Sequence, residues 1–315
     1  MMNKLAIGID IGGTNTDIGL VNPDGKVLCH KILKTAEYSD HHPYILDMAE
    51  AIKSLLAENG HPKVAGVGIG APNANFATGC IGANTANLRM KELIPICSML
   101  ETMLGMPVTL SNDADAAALG EHIYGGAKLM QHFVTITLGT GVGSGIFADG
   151  RLIHGRGCMA GELGHAIVNP FSDRLCSCGR KGCLEMYASA RGICQTYREE
   201  AAKGEFQDNF RGPELTCKDI GEMAVAGDPL ALKTYDITAY WLGIGLSNIA
   251  TFCSPEAFFL MGGPTRAGEA LMRPLRHYFN EHLLYIYNKD ISIQLSKLQS
   301  NEAAVLGAAA LIHLK

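Results

Sequence analysis

Two twelve-residue segments of the chain share one plan, and that repetition constrains the fold more than any other feature. Residues 9–20 read IDIGGTNTDIGL and residues 136–147 read ITLGTGVGSGIF. Each is an apolar strand that breaks at glycine and threonine and turns straight back into a second strand. A further turn, Asn22-Pro23-Asp24-Gly25 in the first copy and Asp149-Gly150 in the second, signals another hairpin. Superposed, the copies pair Asp10 with Thr137, an internal repeat that predicts two α/β domains of similar build. A length of 315 residues, 47% of them hydrophobic, gives material for two cores.

Hydrophobic spacing fills in the rest. After three antiparallel strands it predicts a helix over 43–59, a buried strand over 64–69, an irregular GAPNAN loop, a helix over 90–104, a strand over 108–110 and a helix over 114–124. After the second copy it predicts helices near 188–203, 217–226 and 229–253 and a strand over 257–261. A break at Gly262-Gly263-Pro264, a helix over 268–283, a strand over 291–295 and a last helix over 302–314 follow.

A strand that ends in glycine and threonine and reverses at once exposes backbone N–H groups with no side chain in the way, a concavity suited to phosphate. Two such turns could hold a phosphate chain from both sides, although glycine-threonine turns are more often plain hairpins. Asp10, ending the first strand, is a candidate Mg2+ ligand, since that ion takes few carboxylates and completes its shell with water and phosphate. No Walker A lysine and no GxGxxG opening a helix is present, which weighs against P-loop and Rossmann readings. Asn112-Asp113 stand where a strand gives way to a helix, so Asp113 is either a general base or the cap of that helix.

Residues 161–185, GELGHAIVNPFSDRLCSCGRKGCLE, concentrate the metal-binding side chains. His165, Cys176, Cys178 and Cys183 supply the four nitrogen or sulfur donors of a structural zinc site. Buried thiols or disulfides are the competing reading. Glu162 and Glu185 flank the set without belonging to it. Ten cysteines without an export signal point to a reducing cytoplasm. A net charge of -5 with no basic run argues against nucleic acid, and no apolar window reaches membrane-spanning length.

Read together, these pieces resemble the ROK family (repressors, open reading frames, sugar kinases) through nearly the whole chain. Asp10-Ile-Gly-Gly-Thr14 resembles its first phosphate motif, Leu138-Gly-Thr-Gly141 its second, and Gly262-Gly263 its nucleoside-side glycines. Asn112-Asp113-Ala-Asp115 through Glu121 resembles the segment of the catalytic aspartate, Glu162-Leu-Gly-His165 the sugar-binding ExGH, and Cys176 through Glu185 the zinc loop. The resemblance implies an actin-like pair of ribonuclease-H-like domains around a central cleft: residues 1–112 with 303–315, and 113–302 carrying the zinc loop. It implies an ATP-dependent hexose kinase acting on the sugar 6-hydroxyl, glucose first, with fructose, mannose, allose or N-acetylhexosamines as alternatives.

By the same resemblance Asp113 is the general base and Asn87, Asn112, Asp113, Glu162, His165 and Glu185 hold the sugar. Gly12, Gly13, Thr14, Gly139, Thr140, Gly141, Gly262 and Gly263 hold ATP, Asp10 holds Mg2+, and His165, Cys176, Cys178 and Cys183 hold structural Zn2+. A cytoplasmic homo-oligomer, dimer or tetramer, is implied too.

The chain departs from the family pattern in places. Asn15-Thr16-Asp17 replaces a run that usually includes a basic residue, and Gly70-Ala-Pro72-Asn73 carries Asn where glycine is usual. Arg89 follows Asn87-Leu88 where an aromatic residue is frequent, and Asp115 stands where Asn is usual. Competing readings are a sugar-responsive repressor, for which the early first strand leaves no helix-turn-helix, and a catalytically silent scaffold.

Overall fold

The computed structural model describes residues 4–85, 88–210, 212–287, 290–298 and 302–313. In chain order its elements are β1 (Leu5–Ile11), β2 (Thr16–Val21), β3 (Val27–Leu33), α1 (His41–Glu58), β4 (Val64–Gly70), the short β5 (Ala74–Asn75) and β6 (Cys80–Ile81), α2 (Ile96–Leu104), β7 (Val108–Ser111) and α3 (Asp113–Ile123). Then come β8 (Phe133–Leu138), β9 (Val142–Ala148), β10 (Arg151–Leu152), α4 (Glu185–Ala188), α5 (Ala190–Ala202), α6 (Cys217–Val225), α7 (Pro229–Cys253), β11 (Ala257–Gly262), α8 (Glu269–His282), β12 (Ser292–Leu295) and α9 (Ala303–Ala310). They form two compact units: Met1–Met130 with Leu152–Ala160 and Lys297–Lys315, and Gln131–Arg151 with Gly161–Ser296.

The first unit is built on a sheet of order β3-β2-β1-β4-β7. β1 runs antiparallel to β2, with Asp10 opposite Asp17, and parallel to β4, with Asp10 beside Gly70. β4 pairs in parallel with β7, where Gly70 sits beside Ser111. Asp10, Gly70 and Ser111 therefore form a row at the carboxyl edge of the parallel strands, where open α/β sheets bind ligands. Against this sheet α1 buries Tyr44, Ile45, Met48, Ala49, Ile52 and Leu55, a helical stripe whose larger members each contribute about 1.5–3 kcal/mol of burial. α9 packs directly on β1 and β4 because both strands carry glycine there. A Cβ on Gly8 would lie 2.1 Å from Val305 O, and one on Gly68 1.9 Å from Ala308 O.

The second unit repeats the plan. Its sheet order is β10-β9-β8-β11-β12, with β8 antiparallel to β9 and parallel to β11, which in turn pairs in parallel with β12. Thr137 takes the place of Asp10, paired with Gly143 on the hairpin side and Met261 on the parallel side. The duplication read from the two glycine turns is thus the topology of both sheets. α7 and α8 pack on each other, and Tyr235, Leu242, Leu246, Leu271, Leu275 and Phe279 are core residues of this unit.

Three sequence expectations need correction. The helix expected over 90–104 begins only at Ile96, since Pro95 lacks an N–H and disfavours helix in the residue before it. α1 starts at His41 rather than 43 because the Asp40 side chain accepts from His42 N. The cut expected after residue 112 does not match the packing: α3 and the chain as far as Met130 lie in the first unit, where α3 packs on α9, and Leu152–Ala160 joins them.

Candidate active site

Three aspartates gather at the carboxyl edge of the first sheet. Asn112, extended at φ -68 and ψ 161, caps α3 by accepting from Asp115 N at 2.7 Å. The cap role is therefore taken, and Asp113 is left as the first helical residue, its Oδ1 accepting from Ala114 N at 2.8 Å. The Asp113 side chain is exposed to water but closely surrounded by protein, and this crowding raises its pKa against the pull of the backbone N–H groups. Asp10 is pushed up to about 7, first by burial and then by the charges of Asp113 and Asp17. Carboxylates that repel one another this way suit a divalent cation with oxygen ligands. In the adjoining turn, where Gly12 N donates to Asn15 O at 2.9 Å, the buried Oδ1 of Asn15 has no hydrogen-bond partner. These donors fit Mg2+.

In the second unit the turn after β8 closes by Gly139 N donating to Gly141 O at 2.9 Å, and Ala190 N at the start of α5 donates to Gly139 O at 2.8 Å. Gly262, at φ 106, passes so close to β8 that a Cβ would lie 1.9 Å from Leu138 O. Gly139, Thr140 and Gly263 line one cavity of about 690 Å³, within the roughly 300–1,000 Å³ usual for small-molecule sites. Thr216, Lys218 and Glu222 of the α6 segment and Arg266 line the same cavity. Sequence reading identified that helix but not its lining role. The one local signal was the capping box of Thr216 and Asp219, which fixes where α6 begins.

The four candidate zinc donors converge, with all ligand atoms within 4.8 Å of one another. Cys176 Sγ lies 3.5 Å from His165 Nδ1 and Cys178 Sγ 3.6 Å from Cys183 Sγ. Zinc bonds of about 2.3 Å to sulfur and 2.0–2.1 Å to nitrogen give tetrahedral edges of about 3.6–3.8 Å, so the donor set fits the ion. Backbone pairs hold the loop: Cys176 N donates to Arg180 O at 2.8 Å and Gly179 N to Cys176 O at 3.0 Å. The backbone N–H and the guanidinium of Arg180 draw the Cys178 thiol down to about 6, towards the thiolate a metal needs.

His165 turns its other nitrogen, Nε2, towards Glu162 Oε2 at 4.0 Å, so one ring faces the thiols and the ExGH carboxylate at once. Glu185 is almost fully buried, with Oε2 accepting from Val142 N at 3.2 Å and Oε1 from Ser177 Oγ at 3.3 Å. It links the cysteine loop to the residue after the second glycine turn, a role its sequence position did not suggest. Asn87 lies outside the described residues. Asn73 holds the left-handed conformation at φ 52, which Asn tolerates better than most residues, and its amide donates to Thr85 Oγ1 at 3.2 Å.

Comparison with known proteins gives concordant matches. The ROK family profile matches residues 6–315. A glucokinase of Halalkalibacterium halodurans is 33% identical over 99% of this chain and 96% of its own length. A ROK family glucokinase from Streptomyces griseus, solved with glucose and AMPPNP, superposes with a TM-score of 0.79 at 32% identity over 98% of both chains. A xylose repressor of Caldicellulosiruptor bescii is 29% identical over 97% of this chain but 77% of its own length.

Proposed function

The chain belongs to the ROK family, and on that premise we propose that it is an ATP-dependent sugar kinase that phosphorylates the 6-hydroxyl of a hexose, glucose being the favoured substrate. The observation that carries this reading is Asp113: a carboxylate released from capping by Asn112, exposed to water, at the carboxyl edge of the parallel strands. In the reaction the sugar O6 attacks the γ-phosphorus, the bond from that phosphorus to the β–γ bridging oxygen breaks, and ADP leaves. Asp113 accepts the O6 proton. Glu162 and His165 accept from or donate to ring hydroxyls, and the Asn112 amide NH2 is the part of that side chain left for a sugar oxygen.

In the turns Gly12-Gly13-Thr14 and Gly139-Thr140-Gly141, the bonds donated by Gly12 N and Gly139 N hold the turn, and the N–H groups that follow bind phosphate oxygens, with Gly262 and Gly263 on the nucleoside side. Asp10 would hold Mg2+, which supplies charge neutralisation on the phosphates. His165, Cys176, Cys178 and Cys183 would hold zinc, which supplies rigidity to the loop carrying Glu162 and Glu185. Glucose is favoured because relatives 33% identical over nearly the whole chain are glucokinases and a related ROK glucokinase was solved with glucose.

The test is to incubate the purified chain with Mg-ATP and a panel of aldohexoses, ketohexoses and N-acetylhexosamines, measuring ADP and locating the phosphate on the product. Glucose 6-phosphate is the expected product. No ADP above the sugar-free background with any sugar would overturn the reading. The xylose repressor match supports a second reading, a sugar sensor without turnover. It predicts that a sugar raises thermal stability in the same panel while no ADP forms.

A further inference from the structure

His154 belongs to Leu152–Ala160, the segment of the first unit that runs in sequence into Gly161 and Glu162. Its Nδ1 is shut off from solvent and has no hydrogen-bond partner, a condition that folded proteins seldom tolerate without a reason. The atom it faces is Asp115 Oδ2, 3.6 Å away and so beyond hydrogen-bond length. Asp115, on α3, is itself only 4% exposed. The imidazole ring stacks on Phe76, with centroids 4.6 Å apart and planes at 12°.

Beside the stack the Asn75 amide donates to Gly157 O at 3.4 Å, and His154 O accepts from Ala160 N at 3.0 Å, closing the segment on itself. Residues 152–160 therefore touch the loop that follows Gly70-Ala-Pro72-Asn73 at two points and α3 at a third. The group facing His154 is thus a buried carboxylate. A carboxylate accepts from an imidazole N–H more strongly than an amide does, and it fixes the Nδ1–H tautomer.

We propose that Asp115 and His154 are positioning residues for the sugar: their hydrogen bond closes when the sugar binds, and it draws the 70–76 loop and the segment leading to Glu162 into working position. Bonds at such sites are often long without ligand and tighten in the complex. Neither residue touches a reacting atom. The inference rests on the hexose-kinase reading, since it concerns the sugar that reading assigns.

The test uses initial rates of the full chain with Mg-ATP and its best hexose. His154→Phe keeps a ring on Phe76 and deletes Nδ1; it should raise the sugar KM about tenfold, as loss of one hydrogen bond to a charged group implies. kcat and the ATP KM should stay within about twofold of the wild type, as expected when only ground-state sugar binding is weakened. Asp115→Asn retains an acceptor and should raise the sugar KM less. The double variant should be no worse than His154→Phe, because both changes act on the same bond, which His154→Phe already removes.

An unchanged sugar KM in folded His154→Phe, additive effects, or kcat falling in step with the rise in KM would each overturn the proposal. Should His154→Phe fail to fold, amide hydrogen exchange of the wild type decides: hexose must slow exchange in both 152–160 and 70–76, and equal exchange with and without hexose refutes the closure. If hexose binds without turnover, the kinase reading fails alone, and the exchange result still judges this one.

Discussion

Cys183→Ser tests whether the cysteine loop, held by zinc, serves sugar binding as proposed. Cys183 is fully buried, its sulfur 3.6 Å from that of Cys178, and it lies two residues before Glu185. Serine fits the space but is a poor zinc donor, which leaves three ligands where a closed structural site needs four. Zinc contributes on the order of 10–16 kcal/mol to the folding of small zinc domains, so a weakened site frees the loop. The contact then lost is the one from Val142 N to Glu185 Oε2. A hydrogen bond to a charged group is worth about 1.5–3 kcal/mol, and at about 1.4 kcal/mol per tenfold this corresponds to roughly a ten- to hundredfold rise in sugar KM. Zinc per chain is measured by mass spectrometry of the acid-digested protein, and KM by coupling ADP release to NADH oxidation. Zinc content and sugar affinity should fall together. A zinc-free variant with wild-type sugar KM would refute the reasoning, showing that Arg180 and the backbone pairs order the loop alone.

Two further changes probe the sheet edge and its packing. Because burial and the neighbouring carboxylates raise Asp10 to about 7, the fold opposes its ionisation; the penalty grows as pH rises from the unfolded value of 3.8 through 7 and then levels off. In urea melts with EDTA, Asp10→Asn should be more stable than the wild type near pH 8, by a margin that vanishes near pH 4; equal stability at both would contradict the cause given. Gly68→Ala sets a Cβ 1.9 Å from Ala308 O and must push α9 off the sheet. Overpacking of this kind costs about 1–3 kcal/mol or more, so the urea midpoint should fall, and an unchanged midpoint would show that α9 has room to move.

The legible parts of this chain were those with local chemical causes. The strand, glycine turn and returning strand around Asp10 and Thr137 gave the duplicated sheets, since a glycine-broken apolar strand has few other ways to continue. The cysteine spacing likewise gave a cluster whose sulfur and nitrogen atoms converge. What escaped depended on neighbours distant in sequence. Nothing local says that Glu185 bonds to Val142, 43 residues earlier, or that Thr216, Lys218 and Glu222 line one cavity with Gly139. The expected domain cut after 112 followed the start of a helix, whereas packing of α3 against α9 keeps that helix in the first unit. Asp113 could be read as cap or base until Asn112 was seen to hold Asp115 N.

The most direct test of the central claim is the kcat of Asp113→Asn on the best hexose. Since Asn112 caps α3, the substitution leaves the helix start intact, so the melting temperature should not fall and sugar KM should stay near wild type. With the proton acceptor gone, kcat should drop about 100- to 10,000-fold. Turnover within a few-fold of the wild type would contradict the assignment of Asp113 as the base.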